Sequence, residues 1–481
     1  MAQHSKRKQK KVQSMPVLQP NAAGVDIGAK EIFVAVDGDR DRNPVRHFST
    51  FTPDIHKAAQ WLKEVGIESV AMESTGVYWI PVFEILESYG FQVLLVNARH
   101  VKNVPGRKTD VQDCQWLQYL HAVGLLRGSY RPPKEICAVR TLRRHRENLV
   151  KTAVSHVQRM QKALTQMNIQ IHHVISDITG VTGLAIIDAI LAGERDPRKL
   201  ADLKDPRIHA EKKIIAKALI GHYLPEHLFT LKQALECYRH YQKMIVDCDH
   251  EIEKCLQKIE NHGKSPQEPY TRPAPKARKK RSHDPNFDLG SYMARILNTD
   301  LTQVEGIGAT TAHTFFTEVG TRIELLKFPT EKHFSSWLGL CPANKISGGK
   351  ILSSRTRKVE NKLATALRMS AQSLWHSQSY LGDYYRKMKA RHGTPKATTA
   401  AAHKLARIIY AMVKYQIPYD KSIIEEREKF NKERKLQYLH KQAQSLGFQL
   451  VPAWSYLKDT NYLITTHVTP NASISTDRLT L

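Results

Sequence analysis

The 481 residues carry 73 Lys and Arg against 46 Asp and Glu, a net charge of +27 with His neutral. An apolar share of 41% is enough for real cores in roughly three or four domains. No apolar run approaches the roughly 20 residues of a membrane span, the basic N-terminus lacks the apolar stretch of a secretory leader, and six scattered Cys without a CxxC pair argue against a disulfide framework or a zinc ribbon and for a reducing cytoplasm. Such an excess of positive charge predicts a polyanionic partner, nucleic acid rather than a membrane. Charge alone does not separate DNA from RNA, or binding from catalysis.

Residues 1–21 read as a basic arm, with Lys6, Arg7, Lys8, Lys10 and Lys11 as loose phosphate contacts or simply a solvated tail. Residues 22–137 form the next domain. Short apolar runs at 22–27 and 32–36 flank Gly28-Ala29-Lys30 and predict a hairpin, with a third strand over 45–51. A helix over 55–65, a strand over 69–72, a helix over 78–89, a strand over 91–96 and a helix over 111–123 follow. Antiparallel strands first, then alternating helices and strands, predict a mixed α/β sheet.

Residues 138–261 read as a helical arm. A long helix over 138–169 has Leu149, Ala153, Met160, Leu164 and Met167 on one face, and Arg140, Arg143, Arg144, Arg146, Lys151 and Arg159 on the other. A second helix over 231–259 carries a heptad seam of Leu231, Tyr238, Ile245, Ile252 and Ile259 with Ala234, Tyr241, Cys248 and Cys255. The two predict an antiparallel coiled coil within the chain or a pairing between subunits. Between them lies a small helical insert with turns at Gly180, Asp196-Pro197 and Asp205-Pro206. Residues 262–288 are a polar, Pro-rich linker whose basic run includes Lys279 and Lys280 as nucleic-acid contacts. Residues 289–420 predict a mostly helical domain, and 421–481 a charged helix and a tail.

In so basic a chain, carboxylates at strand ends stand out. Asp26 closes the first strand in Gly24-Val25-Asp26-Ile27-Gly28, and Glu73 closes another in Val70-Ala71-Met72-Glu73-Ser74. Asp110 and Asp113 fall three apart at a helix start, on one helical face. Taken singly, each reads as ordinary: a turn residue, a loop acid, an N-cap, a solvated acid. Taken together on an α/β sheet, they favour a site for two divalent ions, which need several hard oxygen ligands.

The order Asp26, Glu73, Asp110, Asp113 on strand, strand and helix resembles the RuvC-like, ribonuclease-H-type DEDD domain. The strings Gly-Val-Asp-Ile-Gly-Ala-Lys, Glu-Ser-Thr-Gly-Val-Tyr and Lys-Thr-Asp-Val-Gln-Asp resemble those of the DEDD transposases of the insertion sequence 110 family. Further along, Val304-Glu305-Gly306-Ile307-Gly308 before an apolar helix over 310–319 has the form of a helix–hairpin–helix turn. There Gly306 and Gly308 allow backbone N–H groups to face phosphate. Then come Leu338-Gly339-Leu340-Cys341-Pro342 and Ser347-Gly348-Gly349-Lys350, with Lys345, Lys350, Arg355, Arg357 and Lys358 as nearby cations. By itself that string favours a polar glycine turn whose hydroxyl contacts phosphate.

The resemblance shifts that balance, because in the family a serine after the Pro attacks DNA and forms a phosphoserine link. The matching residue is Ser347, ahead of Ser353 and Ser354. The resemblance spans 22–420 and implies a DNA transposase of an insertion sequence, with magnesium on Asp26, Glu73, Asp110 and Asp113 and with Ser347 as nucleophile. It also implies a site completed by domain closure or by a second subunit, a structured bridge RNA as guide, donor and target double-stranded DNA as partners, and assembly into dimers or tetramers on the bacterial nucleoid. The rivals are a RuvC-like endonuclease or Holliday-junction resolvase that uses water, and a non-catalytic nucleic-acid-binding protein.

Overall fold

The computed structural model describes residues 15–74, 76–97, 109–262, 283–420 and 422–448. Lys279 and Lys280, most of the linker, the start of the basic arm and the end of the tail lie outside the described residues. The chain divides after Arg131 into two units.

In the first unit, β1 (Ala22–Ile27) and β2 (Glu31–Ala35) form the expected hairpin, with the Gly28 N–H donating to the Glu31 carbonyl at 2.9 Å. β3 (Val45–Ser49) pairs antiparallel with β2. Pro53 and Asp54 suit the first turn of α1 (Thr52–Glu64), which starts three residues earlier than its apolar spacing indicates. β4 (Ser69–Glu73), α2 (Trp79–Ser88), β5 (Gln92–Val96) and α3 (Asp110–Ala122) follow. The strands lie in the order β3-β2-β1-β4-β5, with β4 parallel to β1 and β5 parallel to β4. Val25, Ile27, Val70 and Met72 face α1 and α2 in one core. Ala71 and Val96 face the opposite way, toward Leu117 and Leu120 of α3. This is a mixed α/β domain, as expected, with helices on both faces of its sheet.

The second unit opens with α4 (Lys134–Gln166), whose start is set by Pro132-Pro133 four residues before the apolar pattern begins. It ends at Asn168, which takes a φ of 56°. The insert contains α5 (Val181–Leu191), α6 (Pro197–Asp202) and α7 (Lys212–Ala218). Gly180 and Asp196 are N-caps, so the turn signals sit where helices begin. α8 (Pro225–His262) returns along α4. The contacts Arg146–Asp249 and His156–Tyr241 run in opposite senses along the two helices, so the seam closes within one chain as an antiparallel pair.

Seven helices make up the next region: α9 (Leu289–Leu297), α10 (Ala309–Val319), α11 (Arg322–Leu325), α12 (Glu331–Trp337), α13 (Lys362–Ser373), α14 (Tyr380–His392) and α15 (Thr394–Tyr415). Phe315, Phe316, Phe334 and Tyr410 are fully buried at its centre. The Tyr410 hydroxyl donates to the Phe328 carbonyl at 2.7 Å, which pays the desolvation of that oxygen. Between α12 and α13 a two-stranded ribbon of β6 (Lys345–Ser347) and β7 (Lys350–Ser353) projects. α16 (Ser422–Ser445) follows. Among the described residues no helix is long and apolar enough to cross a membrane.

Candidate active site

Gly24 explains how the carboxylates are brought together. A Cβ there would strike the Cys114 carbonyl and the Gln118 amide of α3, so only glycine lets the helix lie against β1 backbone to backbone. The Gln118 side chain also donates to the Ala22 carbonyl at 3.4 Å. With residues 114–118 over Gly24, the first turn of α3 lies toward the end of β1 that carries Asp26. Asp110 and Asp113 are in that turn, and the Thr109 hydroxyl caps it by accepting from the Gln112 N–H at 3.3 Å.

Strand register does the rest. Gly24 pairs with Ala71 and Val25 with Met72, and the parallel register continued by one step sets Asp26 beside Glu73. Side chains alternate along a strand, so Asp26 and Glu73 share the face of Gly24 and Ala71, toward α3. Ser74 then ties the strand end to the Val96 carbonyl through its N–H (2.9 Å) and its hydroxyl (3.1 Å). Asp26, Glu73 and Asp113 are half-buried, and Asp110 is exposed.

The electrostatics report the same convergence. Burial, and then the charges of Asp110, Asp113 and Glu73, push the Asp26 carboxyl up to about 6 from 3.8. The charge of Asp26 in turn adds to burial in raising the Cys114 thiol to about 12, so this cysteine is a packed residue and not a nucleophile. Four oxygen donors that repel one another match the chemistry of a divalent cation site. Among the described residues, no group of three or more His, Cys, Asp or Glu side chains is arranged to hold an ion as it stands.

Ser347 ends β6 at the tip of the ribbon. Gly348 and Gly349 take φ of 53° and 76°, the left-handed pair that a two-residue hairpin turn requires. Ser347 pairs with Lys350, so hydroxyl and ammonium stem from one face, while Ile346 and Ile351 pair on the other. Every residue from Pro342 to Leu352 is exposed. Lys345 starts the same strand opposite Ser353. The ribbon is held at its base: Pro342 bridges Thr356, and the Ala343 N–H donates to the Arg355 carbonyl at 2.9 Å. Arg357 donates to the carbonyl and to the hydroxyl (3.3 Å) of Ser336 in α12, so it braces the ribbon.

Gly306 takes a φ of 85° and packs on the Ser370 carbonyl, where a Cβ would come within 2.8 Å. Gly308 is the N-cap of α10, and no side chain caps that helix. A three-residue 3₁₀ turn (Leu301–Gln303) precedes Gly306, and in the first turn of α10 the Thr311 and Ala312 N–H groups donate to the Gly308 carbonyl at 2.9 and 3.0 Å, so the N–H groups at the open end are those of Ala309 and Thr310.

The basic face of α4 has partners within the unit. Arg146 pairs with buried Asp249, Arg143 reaches Glu147 and the hydroxyl of Thr314 (2.9 Å), and Arg144 reaches Glu318 at 2.9 Å. Half of the predicted cationic stripe is thus spent inside the unit, bonding α4 to α8 and α10. Asp249, Thr314 and Glu318 lie far off in sequence and carried no signal of that use.

Two family models match the chain. One, a DEDD transposase model of the IS110 group, covers residues 23–169, and the other, described as the transposase IS116/IS110/IS902 family, covers residues 298–386. The first span includes Asp26, Glu73, Asp110 and Asp113, and the second includes Gly306, Gly308 and Ser347. No curated protein matches significantly.

Proposed function

Since this chain belongs to the IS110 family of DEDD transposases, we propose that it moves its insertion sequence by serine chemistry, with Ser347 as nucleophile and Asp26, Glu73, Asp110 and Asp113 as the ligands of magnesium. The observation that carries the reading is the convergence of three carboxylate charges on Asp26 from a neighbouring strand and one helix turn. Magnesium, when bound, would offset charge on the transferring phosphoryl group. The protein's part is to hold four like charges at one strand end.

At the ribbon, the Ser347 oxygen attacks a phosphodiester of donor or target DNA. The serine O–P bond forms, one strand P–O bond breaks, the serine proton leaves to solvent and the freed DNA oxygen takes one up. A hydroxyl of the partner strand then reverses the exchange, which rejoins DNA and restores the serine. No bond energy is lost, so no nucleotide hydrolysis is needed. Lys350, directly across the ribbon, and Lys345 and Arg355 set positive charge against the negative charge on the oxygens of the transferring phosphoryl group. The open N-terminus of α10 and its two glycines suit a flanking phosphate.

Sequence choice in this reading belongs to base pairing with a bridge RNA, and the net charge of +27 suits a protein that coats RNA and duplex DNA as a dimer or tetramer in the bacterial cytoplasm. A denaturing gel tests the chemistry: the chain is co-expressed with its element's flanking non-coding RNA and both DNA substrates. A covalent protein–DNA adduct is expected in the wild type and none in Ser347→Ala, whose cleavage drops by about 10⁴-fold or more at an unchanged melt. Cleavage without any adduct would assign the chemistry to water and make Ser347 a bystander.

A further inference from the structure

Outside both groups of residues described above, a groove of about 820 Å³ opens between α4 and α8. Its floor includes Ala163 and Ala234, small side chains in a buried seam that elsewhere holds Met160, Leu164, Leu231 and Tyr238. Two alanines at facing positions leave room that larger neighbours would fill.

The two walls differ in chemistry. On α4, Arg159 and Lys162 stand one turn apart, exposed, and neither forms an ion pair among the described residues. On α8, Thr230, Gln233 and Glu236 present a hydroxyl, an amide and a carboxylate. At the inner edge lies His156, only 6% exposed and stacked on Tyr241 with ring centroids 5.5 Å apart. Its Nδ1 has no hydrogen-bond partner among the described residues. Burial, and then the charge of Arg159, push the His156 ring below its ordinary titration range, and in its neutral form it presents one donor. Buried polar atoms in folded chains are nearly always paired, and an orphan that lines an open groove asks for a partner.

We infer that this groove seats one unpaired nucleotide, with its phosphate on Arg159 and Lys162 and its base against Gln233 and Glu236. A bare anion would use the cationic wall and meet carboxylates on the other. A nucleotide has the same asymmetry as the groove: an anionic end, and a base whose exocyclic amine donates to an amide or carboxylate oxygen. The volume falls in the range of small-ligand sites. The nucleotide can be a free 5′-monophosphate or one unstacked from a bound strand, and the chemistry is shared. The assignment is independent of the serine reaction.

The test uses the full chain. Adenosine 5′-monophosphate, adenosine and inorganic phosphate are titrated calorimetrically, and a ten-nucleotide adenosine strand carrying one photoreactive 8-azidoadenosine is cross-linked and its adduct mapped. Arg159→Gln with Lys162→Gln removes the cations, Thr230→Trp occludes the groove without changing charge, and Lys232→Gln with Lys243→Gln is the charge-matched control elsewhere on α8. These side chains are exposed, and melting curves check that each variant folds.

Saturable binding of the monophosphate, at least about tenfold tighter than adenosine or phosphate, points to a free nucleotide. No such binding, but a strand adduct on α4 or α8, points to a strand. In either case the signal must fall by at least about tenfold in the first two variants and persist in the control. Loss in the control as well, persistence in Thr230→Trp, or no signal from either probe overturns the inference.

Discussion

Asp26 stands in a five-stranded sheet, between two paired strands and under a helix that meets its strand backbone to backbone, whereas Ser347 stands at the tip of a two-stranded ribbon exposed from Pro342 to Leu352. The first arrangement is held by contacts far apart in sequence, and the second by a two-glycine turn and a braced base. Under the proposed function the difference follows from what each has to do. Carboxylates that repel one another stay together only if a rigid frame holds them. A nucleophile that attacks a duplex phosphate gains from standing clear of its own core.

Breaking the carboxylate side should have a large effect, second to the loss in Ser347→Ala. Asp26→Asn keeps shape and removes one carboxylate charge. Cleavage is expected to fall at least about 10³-fold, while the melt of the metal-free protein holds or rises because mutual repulsion is relieved. An ordinary cleavage rate in this variant would take Asp26 out of the reaction.

Gly24→Ala attacks the frame and leaves every carboxylate in place. Its methyl meets the backbone of α3, so the first unit should lose about 3 kcal/mol by denaturant titration, and cleavage should go with it. Retained stability would mean that α3 sits farther from β1 than the structure has it.

Acid gives a sharper contrast between the units. His313, buried on α10, is pushed down to about 3 from 6.5 by burial and then by Arg143 and Arg146. The folded ring stays neutral while the unfolded ring takes a proton below 6.5, so this group's contribution is whole above 6.5 and is lost as pH falls toward about 3. The unfolding transition of the second unit should weaken by about 1 kcal/mol between pH 6.5 and pH 5.5, and that slope should flatten in His313→Leu. Equal slopes in both proteins would leave the acid response to other groups.

The smallest effect belongs to the turn. Gly348 has open space around its Cβ position, so Gly348→Ala costs only its left-handed backbone, about 1 kcal/mol and local to the ribbon. Cleavage should drop a few-fold with no shift of the global melt. A loss as deep as that of Ser347→Ala would show that the turn geometry itself positions the hydroxyl.

Much of this contrast was legible in the chain. Short apolar runs marked β1, β2, β4 and β5, because strands covered on both faces read as nearly continuous apolar segments. The heptads of α8 announced a buried seam, and its partner proved to be α4 of the same chain. Ser-Gly-Gly-Lys marked a glycine turn, and the structure adds the two strands that make it a hairpin tip. The role of Gly24 was harder to read, because a small residue beside Asp26 does not say which backbone approaches it. The basic stripe of α4 did not show its partners, as Arg143, Arg144 and Arg146 look the same in sequence whether they meet solvent or Asp249, Thr314 and Glu318.

The sequence by itself determined the local features: which segments are strands and helices, where their caps fall, and which carboxylates end strands. These follow from periodicity, turn chemistry and backbone sterics within about ten residues. Only the tertiary structure decided that Asp26 lies beside Glu73 beneath the first turn of α3, that three arginines of α4 are spent inside, and that two alanines leave a groove between α4 and α8. Each depends on residues brought together by strand register or helix packing, and no local pattern encodes which distant backbone will arrive.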